Sequence, residues 1–221
     1  MCRFLMARFD APGPPGPVVE GFSRMCRESR SPDGDRQEDG WGTAWFEPES
    51  GWSTRKSPLP IWEDDEGRQK IPPARTLILH ARSASFPRHR GDIEFNQPFV
   101  KDGVAFVFNG LIRGVTFPRP LPGRIGSQKI WHLLRSLLRT RSAAEALARL
   151  NRILEKHSRD ISALNLGLCD GERISAFSRA SRNNGYYRLH QARRPGFILI
   201  SSEPISHIPS TPVPFGRALT L

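Results

Sequence analysis

Cysteine is scarce in this 221-residue chain: Cys2, Cys26 and Cys169 make an odd count at unrelated spacings, with no CxxC pair. That supports neither a disulfide framework nor a zinc site, and it fits a reducing cytoplasm. Long apolar runs are absent too. No stretch approaches the roughly 18 apolar residues a membrane-spanning helix needs. The opening MCRFLMARFDAPGPPGP holds only a short apolar stretch, broken by Arg3 and Arg8 and stopped by Asp10, which is not a secretory signal. Acidic residues are outnumbered, 22 against 33 Lys and Arg, for a net charge of +11, and 28 of the 33 are Arg. A clustered excess of this sign attracts nucleic acid. Here the arginines are scattered and lack interleaved aromatics, so a solvated, Arg-biased surface is the favoured reading and nucleic-acid binding the minor one.

What is present is a globular composition, 38% hydrophobic, with 20 Pro and 19 Gly placed as loop punctuation. Residues 2–9 (CRFLMARF) read as a buried strand. After a Pro/Gly loop, 17–29 places Val18, Phe22 and Met25 at helical spacing, with Pro17 suited to a first turn. WGTAWF and GWSTRK form a hairpin over 41–56, and 57–74 is irregular with a solvated acidic EDDEG loop. Strands RTLILHARS (75–83) and GVAFVFNG (103–110) follow. Two helices come next, 127–139 with Ser127 as cap and 142–157 with Ser142 as cap ahead of Glu145. ALNLGLCD, ERISAFSR, YYRLHQA and FILISSE close the chain as strands. The order predicts a single domain over 1–221, α+β, with segregated antiparallel sheets.

Three places carry candidate chemistry. Removal of Met1 would leave Cys2 with its thiol and a free α-amine on one residue, a minimal nucleophile and base, the amine having an ordinary pKa of about 7.7–8.0. Taken alone, Cys2 reads better as a small buried residue at the start of a strand. Asn109 and Gly110 offer a side-chain amide and a backbone N–H to one oxyanion, or else a hairpin turn. Arg82, emerging from TLILHA among small residues, offers a fixed fork for a carboxylate, or else a surface cation. His80, His89 and His132 converge on no triad or metal pattern, and Cys26 and Cys169 read as small core residues.

In this order, MCR, EDGWGTAWF, LILHARSAS, NQPF (96–99), AFVFNGLI, GSQKIWHLL, LNLGLCDGERISAFSR and ILISSEPIS resemble the class II glutamine amidotransferase domain, in its stand-alone form. The resemblance implies an N-terminal-nucleophile hydrolase: an αββα four-layer sandwich with two antiparallel sheets. It implies Cys2 as nucleophile, Asn109 and Gly110 as oxyanion hole, and Arg82, Ser83 and Ser85 as substrate contacts. The implied reaction is hydrolysis of the γ-amide of glutamine or a γ-glutamyl compound through a Cys2 thioester. No cofactor or metal is called for, and the released ammonia passes to a partner protein or to solvent. One departure stands out. Where the family carries an acidic segment for the substrate α-amine, this chain has Gly126-Ser127-Gln128. That loss raises a second reading, a ligand-binding domain of the same fold, and Asp92 and Glu203 are the acids considered as replacements. Loops 57–74 and 84–95 are expected to act as lids.

Overall fold

Both faces of the first strand are apolar, and that requires a layer on either side of it. In the computed structural model, which describes residues 1–13 and 15–221, β1 (Arg3–Gly13) turns Phe4 and Met6 to one face and Leu5 and Ala7 to the other. Pro14, inside the expected Pro/Gly loop, lies outside the described residues. The chain continues through α1 (Gly16–Arg27), β2 (Trp41–Glu47), β3 (Gly51–Ser57), α2 (Asp65–Gln69), β4 (Ala74–Ala81), β5 (Phe99–Lys101) and β6 (Val104–Arg113). Then come α3 (Gly126–Leu138), α4 (Ala143–His157), β7 (Asp160–Cys169), β8 (Ile174–Ala180) and α5 (Asn184–Tyr187). The last strands are β9 (His190–Arg194), β10 (Phe197–Ser201), β11 (Thr211–Pro212) and β12 (Ala218–Thr220).

The strands form two antiparallel sheets, ordered β11-β9-β10-β1-β4-β2-β3 and β12-β8-β7-β6-β5. Three apolar clusters fill the spaces between layers. Val18, Phe22, Met25 and Cys26 of α1 pack on Leu5, Leu77 and Leu79 of the first sheet. Leu134 of α3 and Leu147 and Leu150 of α4 pack on Phe106, Leu164 and Leu166 of the second. Between the sheets lie Phe4, Met6, Ile78, Val107, Ile174 and Ala176. The layers therefore run helix, sheet, sheet, helix, the expected α+β αββα sandwich. Among the described residues no helix is long and apolar enough to cross a membrane.

Local departures have identifiable causes. Ser142 caps α4 as expected, its hydroxyl accepting from Glu145 N (3.4 Å) while the Glu145 carboxylate accepts from Ser142 N (3.0 Å). Ser127 does not cap α3. The helix starts one residue earlier, and the Gln128 carbonyl reaches back to the N–H groups of Arg124 (2.8 Å) and Ile125 (3.4 Å). EDDEG is not wholly loop: Asp64 starts α2 by accepting from Gly67 N (2.8 Å) and also takes the Trp41 indole N–H (3.0 Å). Tyr186 and Tyr187 belong to α5 rather than to a strand. β6 does not end at Asn109-Gly110 but runs on to Arg113, pairing Gly110 with Leu164, so these two residues form no turn.

Candidate functional site

Cys2 immediately precedes β1, on the alternation that sends Phe4 and Met6 between the sheets. It is half-buried, and its sulfur sits against the backbone of Ser83, 3.5 Å from the N–H and 3.6 Å from the carbonyl. Its own carbonyl is held by Arg3, which donates to it at 3.1 Å. Arg3 is fully buried, ion-paired to Glu203 (2.8 Å) and laid over the Tyr186 ring at 4.1 Å. A buried pair of this kind is costly to break, because either partner alone leaves an uncompensated charge. Cys2 is thereby anchored at both its sulfur and its carbonyl.

Asn109 follows the same logic on the second sheet. It alternates with Ala105 and Val107, which face the gap between the sheets, and it stands opposite Asn165 of β7. Asn165 is satisfied, donating to Tyr187 O and accepting from Ser178 Oγ, both at 2.7 Å. Asn109 is 1% exposed, and neither its oxygen nor its nitrogen has a hydrogen-bond partner among the described residues. The tyrosine pair places Asn109 at the Cys2 end of the sandwich. Tyr186 lies under Arg3, and Tyr187 accepts from the residue opposite Asn109. The other end is marked by Thr76, whose hydroxyl donates to Gly171 O at 2.6 Å.

Close approach explains the glycines around this site. A Cβ on Gly110 would come within 2.6 Å of the Phe108 ring and 2.7 Å of the Ala163 carbonyl. Gly42 leaves room for the Gln97 carbonyl, which a Cβ would meet at 2.4 Å. Gly40, at φ +99°, admits the Asn96 amide. The NQPF segment can therefore press against β2. Gln97 uses that position to clamp the strand just before Asn109, accepting from Phe108 N (2.6 Å) and donating to Phe108 O (3.2 Å).

Arg82 leaves the end of β4 only 5% exposed. Its guanidinium donates to two carbonyls of the following loop, His89 O (2.7 Å) and Asp92 O (3.4 Å), and faces the Phe95 ring at 5.3 Å. Among the described residues no carboxylate is ion-paired with it, so a buried cation stands without a counter-ion. Asp39 ties down the same loop, accepting from Ala84 N (2.7 Å) and pairing with Arg90 (3.2 Å). Ser83 turns its hydroxyl to Asp35, donating to Oδ2 at 2.7 Å, and Met1 N donates to that hydroxyl at 3.3 Å. The Met1 ammonium and Asp35 form an ion pair. Burial lowers the Met1 amine from its ordinary 8.0. Ser85 is exposed, two residues beyond Ser83.

The acids considered as replacements at Gly126-Ser127-Gln128 are engaged elsewhere. Asp92 accepts from Glu94 N (3.1 Å) and pairs with Arg124 (3.3 Å), while Glu203 pairs with Arg3 and, at 3.6 Å, with Arg30. A side chain at Gly126 would meet nothing within 4 Å. Sequence reasoning overlooked Asp35 and the Arg3–Glu203 pair, because no local spacing signals partners so distant along the chain. Cys26 and Cys169 are buried. Burial raises the Cys26 thiol well above its ordinary value and pushes Cys169 up to about 12. His80 is fully buried and His132 is exposed. Among the described residues no group of three or more His, Cys, Asp or Glu is placed to hold a metal ion.

No protein-family model matches the sequence, and neither does any curated protein. Solved structures do match. A glutamine aminotransferase class-II domain protein from Silicibacter pomeroyi is 16% identical, with a TM-score of 0.63, over 99% of this chain and 94% of that one. Glutamine phosphoribosylpyrophosphate amidotransferase from B. subtilis is 14% identical, with a TM-score of 0.63, over all of this chain and 47% of that one. The allosteric regulatory enzyme of purine biosynthesis is 14% identical and reaches 0.70, with 46% of its length covered. This chain thus spans less than half of the latter two. Layer order, sheet topology and these likenesses agree: the chain has the fold of the class II glutamine amidotransferase domain.

Proposed function

We propose that the protein is an amidohydrolase that cleaves the γ-amide of glutamine or of a γ-glutamyl compound, with Cys2 as nucleophile once Met1 is removed. The Cys2 thiol adds to the γ-carbonyl carbon, and its proton passes through the Cys2 α-amine to the departing nitrogen. The C–N bond breaks, ammonia or an amine leaves, and a γ-glutamyl thioester remains on the sulfur. Water, deprotonated by the same amine, then releases glutamate and restores the thiol. Asn109 and the Gly110 N–H receive the oxyanion of each tetrahedral intermediate, and Arg82 receives the α-carboxylate. The released ammonia goes to a partner protein or to solvent.

The observation that carries this reading is the orphaned Asn109 amide, buried at the Cys2 end of the sandwich. Leaving a buried amide unpaired costs about 1–3 kcal/mol, and an oxyanion that forms only during reaction supplies the missing partner. A further feature supports it: Arg82 is buried, with no carboxylate ion-paired to it among the described residues. The test is ammonia and glutamate release from L-glutamine, with Met1 removal checked by intact mass. Cys2→Ala is expected to abolish release, and Asn109→Ala to lower kcat by roughly 10²–10³-fold. Equal release by wild type and Cys2→Ala would refute the assignment. The missing acid at Gly126 supports a second reading, a ligand-binding domain of the same fold, which predicts no ammonia release from L-glutamine even with Met1 removed.

A further inference from the structure

The substrate α-ammonium needs a carboxylate, and α3 supplies none. Gly126 has no side chain, and the Gln128 carbonyl is spent on the backbone N–H groups of Arg124 and Ile125. Around Cys2, Asp92 is committed to Arg124, Glu203 to Arg3 and Asp39 to Arg90, while Asp33 accepts from the Ser31 hydroxyl and from Asp35 N. Asp35 differs. No arginine or lysine pairs with it among the described residues, and the cation it holds is an α-ammonium, that of Met1. That ammonium is shared with the Ser83 hydroxyl, which donates to Asp35 at 2.7 Å. Ser83 also contributes the N–H and carbonyl that flank the Cys2 sulfur. One residue therefore touches both the thiol and the ammonium acceptor, and it adjoins Arg82.

We propose that Asp35 and the Ser83 hydroxyl form the α-ammonium subsite, so that the substrates are γ-amides or γ-glutamyl compounds of L-α-amino acids with a free amine. The inference rests on the amidohydrolase reading above. Removing Met1 takes away the α-ammonium seated on Asp35 and Ser83, and the incoming substrate brings another. Arg82 then meets the α-carboxylate carried on the same carbon. The acid has moved from the start of α3 to the loop before β2, while the two charges to be matched are unchanged.

The test compares L-glutamine with glutaramate, which keeps the terminal amide and the carboxylate but lacks the ammonium. Binding is measured by calorimetry to Cys2→Ala protein and to Cys2→Ala carrying Asp35→Asn, both with Met1 removed. Ammonia release is measured for wild type and Asp35→Asn. Asp35→Asn is expected to weaken L-glutamine 10–100-fold, as binding affinity and as KM, with glutaramate and the pH profile of kcat unchanged. Equal losses on both compounds would assign Asp35 to the amine of Cys2 and overturn the proposal. So would unchanged L-glutamine affinity, or a wild-type preference for glutaramate. Wild type that releases no ammonia while Asp35→Asn still weakens L-glutamine selectively would sink the hydrolase reading and leave the subsite standing. Active wild type with unchanged affinity in Asp35→Asn would do the reverse.

Discussion

His80 makes the fold sensitive to acid, by an amount that can be worked out. It is fully buried on β4, in register with Phe4 and Gly42, and neither ring nitrogen is hydrogen-bonded among the described residues. Burial lowers its pKa from 6.5 to about 3; the Phe108 backbone nearby offsets part of that drop, and the Arg82 and Lys56 charges add to it. A base depressed in the folded state is protonated first in the unfolded chain. Its stabilising contribution is therefore complete above pH 6.5 and is lost as pH falls towards 3. The full gap corresponds to about 5 kcal/mol, of which about 2 kcal/mol has gone at pH 5 and about 3 kcal/mol at pH 4. The assay is urea unfolding of wild type and His80→Leu at pH 7, 6, 5 and 4. Leu keeps most of the volume and cannot titrate, and the carboxylates contribute alike to both proteins. The expected result is that wild type loses about 2 kcal/mol more than His80→Leu between pH 7 and pH 5. Parallel stability curves would refute the reasoning, because they would mean that His80 charges without penalty and is not held in an apolar site.

Further tests address the machinery around Cys2. Glu203→Gln leaves Arg3 buried without its counter-ion, and chemical denaturation is expected to register a loss of about 3–5 kcal/mol. Unchanged stability would mean that Arg3 reaches solvent. Asn109→Leu removes an orphaned amide at similar volume, so a gain of about 1–2 kcal/mol is expected together with loss of ammonia release. Destabilisation would reveal a partner for Asn109. Thiol titration of the folded protein at pH 8 is expected to label Cys2 alone, since Cys26 and Cys169 are buried and their thiols resist ionisation. Rapid modification of three thiols would contradict that burial.

Element order and packing faces follow from local signals. Apolar alternation in CRFLMARF and AFVFNG, helical spacing in α1 and the Ser142–Glu145 cap are short-range signals, and each is realised where it was read. They are legible because hydrogen bonding and side-chain direction repeat within a few residues. Boundaries were less legible where a longer-range partner intervenes. Asp64 nucleates a turn under Trp41 that its acidic neighbours disguise, and Asn109-Gly110 looks like a turn until β7 extends β6 past it. The order of motifs named Cys2, Arg82 and Asn109, yet it could not say which charges they would meet. That Glu203 serves Arg3, that Asp92 serves Arg124 and that Asp35 faces an α-ammonium emerges from the assembled sandwich alone. The reason is physical. Packing selects its partners by burial within the sandwich and not by distance along the chain, and desolvation penalises a buried charge such as Arg3 unless a counter-ion such as Glu203 comes with it.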